Sequence, residues 1–182
     1  TGPRSVSPAR PTSDPAERAG GRLTIDLDAA AWNYRRLREA AEGAACAAVV
    51  KPDGYGLGAH RLAPTFADAG AGTFFVATID EALQLRAILD EAGHETAAVY
   101  VLNGPLPGTE DDLLAARITP VLNRLGEIDR WAAAARQRKT PLSAALHLDT
   151  GMSRLGLPDD EIATLARQPA RLYGIDLTMI MS

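Results

Sequence analysis

Lys51 stands where an amine could do chemistry, at the tip of the apolar run Ala47-Ala48-Val49-Val50. Such a run partly desolvates the amine, and desolvation favours its neutral, nucleophilic form. A neutral lysine at a pocket floor can form an imine with a carbonyl cofactor such as pyridoxal phosphate. Pro52 holds Lys51 in extended geometry, as a strand end requires. Tyr55 offers a hydroxyl to a phosphate, and Gly54, Gly56 and Gly58 let backbone amides come close. The chain has only two lysines, Lys51 and Lys139, against seventeen arginines. Where Arg is the usual cation, a retained Lys suits chemistry that guanidinium cannot do. The bland alternative is a strand-end lysine whose amine reaches into water beside a Gly-rich turn.

The same segment also fits a relaxed dinucleotide fingerprint, Gly54-Tyr-Gly56-Leu-Gly58-Ala59, with Asp80 and Glu81 as ribose-binding acids. That fit is weak, because Lys51, Pro52 and Asp53 separate the strand from the first glycine. A second polar cluster is Asn103-Gly104. A third runs from His147 through Asp149, Thr150 and Gly151 to Arg154. Thr150-Gly151 suits a tight turn, and Arg154 offers a planar fork to a carboxylate or an anionic ring oxygen. The alternative there is a helix-entry loop with an Asp149–Arg154 surface pair. His147 alternates with apolar Leu146 and Leu148, so it points into a core or a cleft. Cys46 reads as core, and His60 and His94 as surface residues. No Cys/His spacing suits a metal.

Short apolar runs alternate with helical stretches along the chain. Residues 23–27 alternate like a strand, and Asp28 can cap the following helix. Strands are expected at 45–50, 73–77, 97–102, 119–122, 142–148 and 172–180. Helices are expected at 59–69, 80–91, 110–117, 125–138 and 159–167. The strands are continuous apolar runs, the mark of a parallel sheet covered on both faces. An α/β fold follows, and the three polar clusters fall at the carboxyl ends of strands, where such folds bind ligands. The unit length suits a (β/α)8 TIM-type barrel of about 250 residues. Six such strands make it a truncated one. A doubly wound sheet is the alternative.

The chain has 182 residues with 46% hydrophobic and 23% charged, which excludes a wholly disordered chain. A net charge of −4 leaves no electrostatic footprint for nucleic acid. No apolar stretch approaches the roughly 20 residues of a membrane span. A single cysteine favours a reducing compartment. Residues 1–21, rich in Pro, Ser, Gly and Arg, read as a disordered tail ahead of a folded region at 22–182. The chain starts without Met and stops inside an apolar run, so a fragment is expected.

The run Ala48-Val-Val-Lys-Pro-Asp-Gly-Tyr-Gly-Leu-Gly58 resembles the cofactor-lysine motif of alanine racemases, usually V-V-K-A-D/N-A-Y-G-x-G. Leu146-His-Leu-Asp-Thr-Gly-Met-Ser-Arg-Leu-Gly156 resembles their second signature, D-T-G-M-x-R-L-G. The resemblance implies a pyridoxal 5'-phosphate-dependent isomerase of fold-type III, with a (β/α)8 barrel followed by a mostly β domain. It implies a cytoplasmic homodimer that interconverts L-alanine and D-alanine and supplies D-alanine for peptidoglycan. Lys51 would carry the cofactor and then take the α-proton from D-alanine. Tyr55 would bind the cofactor phosphate. Arg154 would hold the substrate carboxylate and the cofactor's phenolic oxygen.

Three departures matter. His147 stands where the family often has a lysine, sometimes carbamylated, so it becomes a supporting residue of a different kind. Pro52 and Gly54 replace alanines. The chain stops before the C-terminal β domain, the second base and most of the phosphate cup, so this portion alone is expected to be inactive. A broad-specificity amino-acid racemase and a non-catalytic cofactor-binding barrel are the alternatives.

Overall fold

The computed structural model describes residue 14 and residues 18–182. Most of the tail expected at 1–21 therefore lies outside the described residues. From Leu27 onward the chain alternates helix and strand. The order is α1 (Leu27–Ala40), β1 (Ala48–Val49), α2 (Ala59–Asp68), β2 (Thr73–Val76), α3 (Ile79–Glu91) and β3 (Ala98–Val101). There follow α4 (Glu110–Ala115), β4 (Ile118–Leu122), α5 (Leu125–Arg138), β5 (Leu142–His147), α6 (Asp159–Arg167), a 3₁₀ turn (Pro169–Leu172) and β6 (Ile175–Met181).

All neighbouring strands are parallel, and their order in the sheet is their order in the chain, β1 to β6. Each strand thus pairs with its predecessor. A doubly wound sheet reverses direction at a switch point, and this one does not. The sheet curls as a barrel arc. Tyr100 on β3 reaches across the concave side to Thr178 on β6, their hydroxyls 3.1 Å apart.

Alternate residues of the strands feed two apolar clusters. Phe74, Val99, Val101, Leu122 and Trp131 pack between sheet and helices. Phe75, Tyr100, Val121 and Ala145 fill the concave side, where the Phe75 and Tyr100 rings stack at 5.1 Å. A register shift between β5 and β6 at Ala144/Ala145 sends Leu177 to the helix-side cluster but Met179 and Met181 to the concave one. The extra residue of such a bulge re-aims the side chains beyond it. Met181 is thereby turned toward the ligand end. Among the described residues no helix is long and apolar enough to cross a membrane.

The expected strand at 23–27 does not form, and Asp28 is not the cap. Leu23 and Ile25 are exposed, and the Asp26 carboxylate accepts from the Ala29 amide at 2.9 Å. An alternating pentapeptide without a partner strand cannot satisfy its backbone, whereas Asp26 satisfies an orphan amide of α1. Asp28 falls in the first turn, where its charge suits the helix dipole. The last strand begins at Ile175 rather than near 172 because the 3₁₀ turn and Gly174 intervene.

Glu81 has a structural task. It closes a capping box on α3: its carboxylate accepts from the amides of Ala77 at 2.7 Å and Thr78 at 3.2 Å, while the Thr78 hydroxyl accepts from the Glu81 amide. Replacing Glu81 by Ala will lower stability by about 1 kcal/mol, read as a lower urea midpoint at unchanged slope.

Candidate active site

The two chemically suggestive segments meet at the carboxyl ends of the strands. There a cavity of about 410 Å³ is lined by Lys51, Tyr55, Phe75, His147, Asp149 and Arg154 among others. Lys51 is half-buried, and among the described residues no carboxylate pairs with it and no hydrogen bond holds it. Val49, Phe75 and Leu102 give the cavity apolar walls.

The loop after β1 reaches the cavity through an unusual backbone. Asp53, Gly54, Tyr55 and Gly56 are successive left-handed residues, with φ of 46°, 64°, 58° and 81°. Asp53 and Tyr55 are strained there, since a side chain crowds the following carbonyl. Hydrogen bonds hold the turn: Gly54 donates to the Val50 carbonyl at 2.6 Å and Gly56 to that of Pro52 at 3.1 Å. Tyr55 is left 65% exposed with its ring on the cavity wall.

This geometry contradicts the dinucleotide alternative. The first amide of α2, where a pyrophosphate would sit, is already taken by the Asp53 carboxylate, with the Ala59 amide donating at 2.7 Å. Glu81 is engaged in its capping box, and Asp80 belongs to the first turn of the same helix.

The Asp149–Arg154 surface pair is absent as well. The Asp149 carboxylate instead accepts from the amides of Ser153 at 2.9 Å and Gly151 at 3.0 Å. These donors, Ser153 first, hold its carboxyl below the usual range. A neighbouring amide wins over a distant flexible guanidinium because it costs no side-chain ordering. Arg154 is exposed and, among the described residues, has neither ion pair nor hydrogen bond. The loop is stapled back onto β5: Leu157 donates to the His147 carbonyl at 2.8 Å, and Asp149 donates to the Leu157 carbonyl at 2.9 Å.

His147 ends β5, half-buried, with Nδ1 2.9 Å from the side-chain oxygen of Asn123. Burial pushes its pKa down and the Arg154 charge adds to that, while Asp149 opposes it. Asn123, 3% exposed, donates its side-chain nitrogen to the carbonyls of Leu102 and Val121, each at 2.9 Å. Its backbone amide donates to the buried carboxylate of Glu127 at 2.8 Å. Burial raises the Glu127 pKa against the pull of that amide and of Arg124. Gly104 abuts this carboxylate; a Cβ there would lie 2.6 Å from Glu127 Oε2. Gly104 therefore serves close packing behind the cavity, Asn103 is exposed, and neither lines the cavity.

Asn123 and Glu127 escaped the sequence reading. A polar residue at the tip of β4 was the available signal for Asn123, but its partners are backbone carbonyls, which leave no trace in sequence. Cys46 lines a neighbouring apolar cleft, where its carbonyl accepts from the Tyr34 hydroxyl at 2.7 Å. His60 is exposed, and His94 meets Asp68 at 3.0 Å on the outer face.

Known proteins resemble this chain in sequence and fold. A catabolic alanine racemase of Agrobacterium fabrum is 47% identical over 164 residues, covering 90% of this chain and 41% of its own length. An alanine racemase of a Methylobacterium species is 51% identical over 147 residues, covering 81% of this chain and 39% of its own length. The chain thus spans about two fifths of the curated relatives it matches. A crystal structure of the alanine racemase of Bartonella henselae, with covalently bound pyridoxal phosphate, superposes with a TM-score of 0.81. It is 38% identical, over 86% of this chain and 44% of that one. The sequence profile of the alanine racemase N-terminal domain matches residues 25–182, and the chain belongs to that family.

Proposed function

We propose that the chain is the cofactor-bearing portion of an alanine racemase, with Lys51 as the attachment point for pyridoxal 5'-phosphate. The observation that carries this reading is the meeting of Lys51, from the loop after β1, and Arg154, from the loop after β5, on one cavity. The residues fit the cofactor chemically. An amine without a carboxylate partner suits an aldehyde, and apolar walls suit a planar ring. Tyr55 suits a phosphate, and the volume is that of a small-molecule site.

When bound, pyridoxal phosphate supplies an electron sink for the negative charge left at the substrate's Cα. The chain's own residues do the remaining work. Lys51 Nζ anchors the cofactor and then takes or returns the proton at Cα on the D-alanine side. Arg154 receives the substrate carboxylate in its planar fork and fixes which face of Cα meets Lys51. Tyr55 binds the phosphate. The apolar walls keep water from the acidified carbon. The family resemblance implies a second base on the opposite face of Cα. An unpartnered Arg154 at the cavity favours an enzyme over a carrier that only binds cofactor.

The reading extends to a homodimer supplying D-alanine for peptidoglycan, on the family resemblance alone, and to a cytoplasmic location, with which a single free cysteine agrees. It is tested in the longest natural polypeptide with pyridoxal phosphate, following conversion of D-alanine to L-alanine and deuterium uptake at Cα from heavy water. Cofactor binding without deuterium uptake would reduce the protein to a carrier. Replacing Arg154 by Leu will raise KM for alanine by about 10- to 100-fold, the value of a lost charge-assisted hydrogen bond.

A further inference from the structure

His147 stands on the wall of the proposed site, and its surroundings determine where its protons lie. The side-chain nitrogen of Asn123 has two protons, and both are committed, one to the Leu102 carbonyl and one to the Val121 carbonyl. Flipping the amide would set its oxygen against two carbonyl oxygens. The Asn123 oxygen must therefore face His147 Nδ1, and an oxygen there accepts only if that nitrogen carries a hydrogen. Asn123 cannot swing away, because it is buried and its backbone is tied to Glu127. The ring's other edge is confined too: a Cβ on Gly156 would lie 3.2 Å from His147 Cδ2. Nε2 is the remaining polar atom of the ring, and among the described residues nothing is bonded to it.

We propose that His147 is a positioning residue, an imidazole protonated on Nδ1 whose Nε2 lone pair accepts from the Arg154 guanidinium and so aims it at the substrate carboxylate. The second half of this assignment rests on the racemase reading; the first half does not. The charged groups facing the ring agree with a neutral imidazole. Arg154, from the loop after β5, opposes a second proton. Asp149, in the same loop, favours one, but its carboxylate is already satisfied by two amides. Glu127, behind Asn123, is raised in pKa by burial and has its carboxylate occupied by the Asn123 amide and by Arg124 at 3.0 Å. Across the cavity stands Lys51 from the β1 side, and β6 contributes Met181, which carries no charge. Because the folded-state pKa lies below the ordinary value, the neutral form holds at pH 7. It gives way only as pH falls below the usual imidazole range, and stability falls with it.

The direct test is a long-range proton–nitrogen correlation spectrum of the longest natural polypeptide labelled at histidine nitrogens, without added cofactor. The His147 signals are identified by their loss in H147N. At pH 7 the spectrum will show one protonated nitrogen, Nδ1, and one bare nitrogen, Nε2. A protonated Nε2, a doubly protonated ring or a mixture of tautomers overturns the proposal. N123L removes the acceptor and will release the ring into mixed tautomers.

The kinetic arm, with pyridoxal phosphate and alanine, separates positioning from packing. Gln at 147 can place an acceptor where Nε2 was, whereas Asn and Leu cannot. H147N and H147L will therefore raise KM for alanine by about tenfold, mainly in KM rather than kcat, and H147Q will recover most of that loss. Equal losses in H147Q and H147N overturn the positioning role. If no cofactor attaches to Lys51, the racemase reading fails while the spectrum still decides the tautomer.

Discussion

Lys51→Met will lower the racemisation rate by about 10³-fold or more, measured as D-alanine turnover in the longest natural polypeptide with pyridoxal phosphate. Two losses combine. The thioether cannot condense with an aldehyde, so the cofactor loses its covalent anchor. The proton acceptor on the D-alanine side is also gone, and general base catalysis alone is worth roughly 10²- to 10⁴-fold. Lys51→Arg will fare no better despite keeping a positive charge, because guanidinium neither deprotonates nor forms imines. The chain contains its own control. Lys139, the other lysine, ends α5 as a left-handed cap with φ 54°, far from the cavity lining, and Lys139→Met will leave turnover unchanged.

Gly156→Ala will destabilise the fold by about 2–6 kcal/mol and spoil the proposed substrate site together. The glycine has φ +99°, where an L side chain is strained by about 1–3 kcal/mol. An added Cβ would also sit 2.7 Å from the Asp149 nitrogen and 2.9 Å from the Leu148 carbonyl carbon. Both are backbone atoms of the β5 end, which cannot rotate away as a flexible side chain would. Overpacking of this kind costs a further ~1–3 kcal/mol. The staple between Leu157 and His147 must open to relieve it, and Arg154 moves with that loop. Urea unfolding will show the stability loss, and KM for alanine will rise in whatever fraction stays folded. Gly151→Ala is the contrast: φ is +135° but nothing lies within 4 Å of the added carbon. Its cost will be confined to backbone strain, ~1 kcal/mol.

Where local physics dominates, sequence and structure coincide. The helices α5 and α6 run over the residues that periodicity indicated, because each opens on a strong amphipathic pattern and acidic first-turn residues. The inner strands are legible as continuous apolar runs since both their faces are covered. Lys51, Tyr55, His147 and Arg154 were legible as candidates, and parallel α/β geometry explains why segments so far apart line one cavity.

Other features depended on which partner wins in three dimensions. The alternation at 23–27 is strand-like, but no neighbour accepts it and Asp26 caps α1 instead. The sequence pairs Asp149 with Arg154 by charge, yet the Ser153 and Gly151 amides take the carboxylate first. Asn123 and Glu127 look like ordinary loop and helix polar residues; only burial reveals them as the support of His147.

The covalent link proposed at Lys51 is tested most directly by borohydride. The longest natural polypeptide is incubated with pyridoxal phosphate, reduced, digested and mapped by mass spectrometry. The account predicts the reduced pyridoxyl adduct on the peptide carrying Lys51 and none on that carrying Lys139. A protein that stays unmodified, or carries the label at Lys139 instead, would contradict it.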